Sequence, residues 1–267
     1  MSGIDAIDKC ALAQQFSGAA HRYDVWATAQ AEIATRLMRQ IPAEFVPSLM
    51  IDLGCGTGLL SVQLLKRYPA ASLVGVDLAA GMVEHCRRHL GTNPQARFVT
   101  GDVEDIGMLV PRANLIASSC VAQWFADLPA TLRMWAQSLV PGGLMAFACL
   151  LQGSFCELEA AYYEALQCSF RGLCLPTPET MPQLFRASGL RPMVCTEERV
   201  TAHYGSSRAA LRSFQQIGAV FQGQPGHQSL GPAAVRRLIS FYDRHVNDQG
   251  LAPVTHCVQY VIAERTS

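Results

Sequence analysis

The stretch Met50-Ile51-Asp52-Leu53-Gly54-Cys55-Gly56-Thr57-Gly58-Leu59-Leu60 limits what this chain can fold into more than any other. An apolar run ends in an aspartate, three alternate glycines follow, and an apolar helical pattern begins. That order spells a buried strand, a tight turn and a helix N-terminus. Gly54, Gly56 and Gly58 let the backbone turn sharply and let a ligand lie against it without Cβ atoms in the way. The helix start presents unpaired N–H groups and a partial positive charge. Asp52 departs from a nucleotide fingerprint. A carboxylate at the strand tip opposes a pyrophosphate but suits a cationic ligand end, such as an ammonium group.

Two more carboxylates keep step with it. Leu73-Val74-Gly75-Val76-Asp77 is a second apolar run ending in an acid, 25 residues after Asp52, and Phe98-Val99-Thr100-Gly101-Asp102-Val103 repeats the pattern 25 residues later. An acid at the tip of the second strand of a βαβ unit is placed to bind ribose hydroxyls. Asp102 suits an adenine amino group, with Val103 packed on the ring. Together these residues resemble the S-adenosylmethionine site of class I methyltransferases, whereas a nicotinamide site would want G-x-G-x-x-G. The resemblance implies a cofactor held by Asp52, Gly54, Gly56, Gly58, Asp77, Leu78, Asp102, Val103 and Ser118, with Met82 beneath the adenosine.

Half of the 267 residues are hydrophobic, 16% are charged and the net charge is zero, which fits a globular chain and gives no footing for general nucleic-acid binding. The ten cysteines include no C-x-x-C pair, and Cys120, Cys149, Cys195 and Cys257 sit in apolar runs, as small hydrophobes do. A reducing, cytoplasmic setting fits them best. The N-terminus lacks the basic and apolar regions of a signal peptide. The longest apolar run, Leu144 to Leu151, is too short to span a bilayer. A soluble monomer is the expectation.

Residues 10–40 read as helical, with Phe16, Ala19, Ala20, Tyr23, Ala27, Ile33 and Leu37 recurring at three and four. Strands are expected near 49–53, 72–76, 96–100, 114–118 and 144–150, alternating with helices at 57–67, 80–90 and 128–139. Right-handed crossovers and a parallel sheet follow. Beyond Leu151 the spacing predicts a helix over 155–170, a short helix ending at Ser188, a strand over 193–204 and a helix over 206–217. A loop over 222–227, a helix from Pro232 to about Val246 and a last strand over 257–264 complete the chain. The expected fold is α/β, a doubly wound, seven-stranded, mostly parallel, Rossmann-like sheet. Residues 1–47 form a helical cap and 48–267 the cofactor domain, with helical insertions at about 151–190 and 206–250 as a lid.

His85 and His89, four apart on one helix, have metal-ligand spacing, but no third ligand is evident and Arg87 and Arg88 would repel a cation, so a solvated face is the better reading. No G-x-S-x-G occurs. His256 is a candidate base, though a bland packing role outweighs it. Gln123 and Trp124, just past the fourth strand, are placed to flank a transfer site with a planar amide and an indole wall. Arg208, Arg212, Arg236, Arg237 and Arg244 make the C-terminal part basic. They are either solvated faces or a grip for a carboxylate and an acidic partner.

Beyond the cofactor motif, the chain resembles the malonyl-[acyl-carrier protein] O-methyltransferases of biotin synthesis nearly end to end. The residues that carry the likeness are Phe16-x-x-Ala19-Ala20-x-x-Tyr23 with Gln30, Gln123-Trp124, Leu151-Gln152-Gly153-Ser154-Phe155 with Glu157-Leu158, Ala210-Leu211-Arg212-Ser213-Phe214 with Ile217-Gly218-Ala219, and Thr255. Ser119, Ala79 and His256 depart from the family pattern. The resemblance implies methyl transfer from S-adenosylmethionine to the free carboxylate of a malonyl thioester, carried by acyl carrier protein or coenzyme A. Such a nucleophile is already anionic and needs no general base. Tyr23 is then the candidate for closing the pocket and orienting the methyl. Gln123, Trp124 and Arg212 are the substrate candidates, and no metal is expected.

Overall fold

The computed structural model describes residues 8–106, 112–167, 175–217 and 230–266. Seven strands, β1 (Leu49–Leu53), β2 (Ser72–Asp77), β3 (Ala96–Thr100), β4 (Ala113–Ser119), β5 (Leu139–Leu150), β6 (Leu190–Tyr204) and β7 (Ala252–Arg265), form one sheet in the order β3-β2-β1-β4-β5-β7-β6. β1 to β5 pair in parallel, and β7 runs antiparallel to both β5 and β6. The strand order reverses between β1 and β4. The crevice beyond their C-terminal ends is where an open α/β sheet receives a ligand. β1 is apolar on both faces apart from Asp52 and is almost wholly buried, as a central parallel strand requires.

Ten α-helices flank the sheet among the described residues: α1 (Lys9–Ala19), α2 (Tyr23–Trp26), α3 (Thr28–Gln40), α4 (Leu59–Arg67), α5 (Ala80–Leu90), α6 (Leu128–Gln137), α7 (Cys156–Leu166), α8 (Thr180–Ala187), α9 (Ser207–Gln216) and α10 (Pro232–Tyr242). On one side the core joins Leu37 of α3, Leu64 of α4, Leu158 of α7, Phe214 of α9 and Tyr242 of α10 to the sheet. On the other, Trp135 of α6 and Phe185 of α8 close on Phe147 of β5. Trp135 Nε1 donates to the Val103 carbonyl at 2.8 Å, which fixes the turn after β3.

Several boundaries differ from the sequence reading. The helix expected over 10–40 is broken into three, because the apolar spacing runs on across the turns at Ala20–Arg22 and Ala27. β5 starts at Leu139 and absorbs Pro141-Gly142-Gly143 as an irregularity, its register with β4 slipping from Ala113↔Leu139 to Leu115↔Leu144. β6 and β7 begin earlier than expected and pair along their whole length. Cys195 is exposed, since β6 is an edge strand whose residues alternate in burial. The helix expected over 155–170 spans Cys156–Leu166, and its last three expected residues lie outside the described residues, as does the loop expected over 222–227. Among the described residues no helix is long and apolar enough to cross a membrane.

Candidate active site

The turn after β1 is left-handed at all three alternate glycines, with φ of +74° at Gly54, +54° at Gly56 and +94° at Gly58. Side chains rarely adopt this region, which is why glycine is needed. Gly54 and Cys55 donate to the Val76 carbonyl at 2.8 and 3.0 Å, tying the turn to β2. A Cβ on Gly54 would lie 2.3 Å from Val121, whereas one on Gly56 would meet nothing within 4 Å. Gly56 therefore faces open space, the approach a ligand needs. Gly58 lies behind the turn, where a Cβ would meet Leu90 and Cys86.

A cleft of about 890 Å³, its open mouth included, lies beyond β1, β2 and β4. It is lined by Gly54, Gly56, Asp77, Leu78, Met82, Asp102, Val103, Gln123, Trp124 and Tyr23, ten of the residues singled out by sequence. Asp77 is oriented on both oxygens: Oδ2 accepts from Gly56 N and Oδ1 from Ala79 N, each at 2.8 Å. Burial raises its carboxyl above the usual range, and those two N–H groups pull it back. Leu78, Met82 and Val103 supply apolar surface beside it, with Met82 and Val103 buried.

Asp52 sits in a smaller, adjoining cavity of about 370 Å³. Tyr23, Gln30, Gly54, Gly56 and Ser119 border both spaces, so the two form one path along the glycine turn. Asp52 is 1% exposed, and its Oδ2 accepts from Ser61 Oγ at 2.6 Å. Burial pushes its carboxyl up to about 7, offset in part by the Ser61 bond.

Among the described residues, the cover over the cleft comes mainly from the N-terminal helices. Phe16 of α1 meets Trp124 edge-on at 5.6 Å and Tyr23 at 6.5 Å. Lys9 Nζ lies 2.6 Å from Asp102 Oδ2 and from Glu104 Oε2. Gly81 N donates to Ser17 Oγ at 3.1 Å, and Thr57 Oγ1 donates to Asp24 Oδ1 at 2.5 Å, so α1 and α2 are pinned to α5 and to the glycine turn. Of the C-terminal insertions, Ile217 at the end of α9 reaches the cleft among the described residues. Sequence reading missed Lys9 and Glu104. The signal for Lys9 was the acidic pair Asp102 and Glu104, which suits a cation on the helix that covers them.

Three expected site residues fall elsewhere. Ser118 is buried and donates to the Leu53 carbonyl at 2.8 Å; its neighbour Ser119 lines the cleft instead, because side chains alternate along β4. Arg212 is exposed: α9 buries Ser207, Ala210, Ser213 and Phe214, which turns Arg212 to the opposite face. Gly58 shapes the turn without lining either space. Gln123 is in the cleft, but its Nε2 is committed to the Cys120 carbonyl at 2.7 Å, leaving Oε1 buried without a partner.

His256 is 4% exposed, packed edge-on against Phe155 at 5.1 Å, and does not line the cleft. Burial lowers its imidazole to about 4, so it is neutral. His85 and His89 stack on each other at 4.1 Å, and His85 faces Asp24 at 3.8 Å. Among the described residues no three His, Cys, Asp or Glu side chains are grouped to hold a metal. The Leu151–Leu158 block forms a clamp on β7 away from the cleft. Leu151 N donates to the Cys257 carbonyl, Ser154 bonds both main-chain groups of Cys257, and Glu157 accepts from the Thr255 N–H and hydroxyl.

The sheet order, the left-handed glycine turn and the acids at successive strand tips define a class I methyltransferase. A family model described as a methyltransferase domain matches residues 50–143. The malonyl-[acyl-carrier protein] O-methyltransferase of Dechloromonas aromatica is 30% identical over 96% of this chain and 95% of its own length. The biotin biosynthesis bifunctional protein BioCD of Bordetella avium is 36% identical over 87% of this chain, which spans about half (49%) of that longer protein. Geranyl diphosphate C-methyltransferase of Streptomyces coelicolor, solved with S-adenosyl-L-homocysteine, shares the fold at a TM-score of 0.52 and 14% identity, covering 87% of this chain and 78% of that one. The chain belongs to the malonyl-[acyl-carrier protein] O-methyltransferase family.

Proposed function

We propose that this chain transfers a methyl group from S-adenosylmethionine to the free carboxylate of a malonyl thioester on acyl carrier protein, a step of biotin synthesis. The full-length match to the Dechloromonas relative carries this reading. The cleft supports it. Gly56 leaves room along the turn, Asp77 offers two pre-oriented oxygens to ribose hydroxyls, Leu78, Met82 and Val103 suit a flat ring, and Asp52 suits an ammonium.

S-adenosylmethionine supplies an electrophilic methyl on a cationic sulfur. The chain's part is to align the acceptor with it and to exclude water. Phe16, Tyr23 and Trp124 form the aromatic wall that does the second. A malonyl carboxylate is ionised at neutral pH, so no residue need take a proton. The buried, neutral His256 is badly placed for the base that methylation of a ring carbon would require.

Purified protein with methyl-labelled cofactor and malonyl-acyl carrier protein should yield a base-labile methyl ester on the carrier. Labelling of phenolic or quinone acceptors in its place would refute the assignment.

A further inference from the structure

The cleft wall is short of cations. Among the described residues that line it, Asp77, Asp102 and Glu104 are acids and Lys9 is the one basic residue. Lys9 is already engaged, its Nζ 2.6 Å from both Asp102 Oδ2 and Glu104 Oε2. Arg212 faces solvent. The residues that border both spaces, Tyr23, Gln30, Gly54, Gly56 and Ser119, are themselves uncharged, with Asp52 and Asp77 to either side. The Tyr23 hydroxyl and the Gln30 amide have no hydrogen-bond partner among the described residues, and the Ser119 hydroxyl has only a 3.9 Å contact with the Cys120 sulfur.

We infer that the acceptor carboxylate is held by these neutral donors, Tyr23, Gln30 and Ser119, and that its charge is matched by the cofactor's sulfonium rather than by any basic side chain. The malonyl thioester then binds after the cofactor. This rests on the function proposed above. An unpaired carboxylate entering a net-negative, poorly solvated wall is disfavoured, whereas opposite charges a few ångströms apart there attract far more strongly than in water. The arrangement also suits release. The carboxylate oxygen forms the O–C bond as the C–S bond breaks and its electron pair returns to sulfur. Both charges vanish together, no proton moves, and no basic side chain is left buried without its partner.

The test titrates a non-hydrolysable malonyl thioester into protein loaded with sinefungin, whose amine is cationic, or with S-adenosylhomocysteine, whose sulfur is neutral. Affinity at least tenfold higher with sinefungin, reduced at least fivefold by Tyr23→Phe, is the expected result. Equal affinity in the two loaded states would overturn the inference and return the carboxylate to a basic side chain such as Arg22, whose Nε is buried without a hydrogen-bond partner. Binding of both cofactor analogues with no malonyl binding in any state would instead remove the substrate assignment, and the inference with it.

Discussion

Ser61 Oγ donates to Asp52 Oδ2 at 2.6 Å, and the Ser61 main chain adds a weaker stabilising contact to the same carboxylate. Those bonds do not make up for burial and the nearby Asp77 charge, so the group is raised to about 7. A carboxyl raised on folding contributes stability that is present below its unfolded value and is lost as the pH climbs through its folded value. Asp52→Asn keeps an acceptor for Ser61 and cannot ionise. The ligand-free variant should melt at a higher temperature than the parent, with a gain that grows from pH 4 to 7 and then levels off. Its affinity for S-adenosylhomocysteine should fall at least tenfold, because the ammonium loses its counter-charge. In the parent, that affinity should rise between pH 6 and 7.5 as Asp52 loses its proton. Calorimetric titrations across this range, with melting curves beside them, check both halves.

Gly54 and Gly56 are two residues apart and equally left-handed, yet their substitutions should fail differently. Gly54→Ala drives a methyl into Val121, and overpacking of that kind costs about 1–3 kcal/mol on top of the backbone strain. Gly56→Ala bears only the left-handed penalty of about 1–2 kcal/mol, but its methyl projects into the cleft. The first should lower the melting temperature more, and the second should weaken S-adenosylhomocysteine more per degree lost. The same ratio of binding loss to melting loss in both variants would mean that Gly56 does not face the ligand.

Much of this site was legible because parallel strands put their C-terminal ends on one edge. Asp52, Asp77 and Asp102 end apolar runs at even spacing, so one-dimensional sequence carries their juxtaposition. What could not be read was direction. Whether Ser118 or Ser119 faces the cleft depends on a single step of strand alternation, and Arg212 against Ile217 on the angle around α9. Lys9 was hidden for another reason. It acts across 93 residues on Asp102, through a helix whose own apolar pattern ran without a break into the next. The Leu151–Leu158 block carried the family likeness strongly, but it is a clamp on β7 rather than part of the cleft.

That clamp should be separable from catalysis. Glu157 is 8% exposed and accepts from both the Thr255 N–H, at 3.1 Å, and the Thr255 hydroxyl. Burial works to raise its carboxyl, but the Thr255 bonds, together with those from its own main chain and from Cys156, outweigh it and hold the group below the usual range. A depressed carboxyl contributes stability above its unfolded value that is lost as the pH falls through its folded value. Glu157→Gln should therefore cost about 1–3 kcal/mol at pH 7, with the gap to the parent narrowing below pH 4. Affinity for S-adenosylhomocysteine should stay within twofold. A tenfold loss would show that the clamp reaches the cleft.

The remaining basic residues divide by their partners. Arg244 Nη1 pairs with Glu164 Oε2 at 2.6 Å and lies over the Phe241 ring at 4.3 Å, which makes it part of the α7–α10 packing. Arg236 and Arg237 on α10 are exposed, with no ion pair among the described residues, as are Arg208 and Arg212 on α9. Solvated single charges contribute little to stability but steer association with an oppositely charged protein, and salt screens that effect. Arg236→Glu with Arg237→Glu should leave the melting temperature nearly unchanged. It should raise KM for malonyl-acyl carrier protein at least fivefold at low salt while changing KM for malonyl-coenzyme A less than twofold, and the difference should shrink as salt is added. Equal effects on the two substrates would remove these arginines from the carrier-facing surface. A carrier-specific effect that persists at high salt would point to apolar contact there, for which the half-exposed Val235 on the same helix is the first candidate.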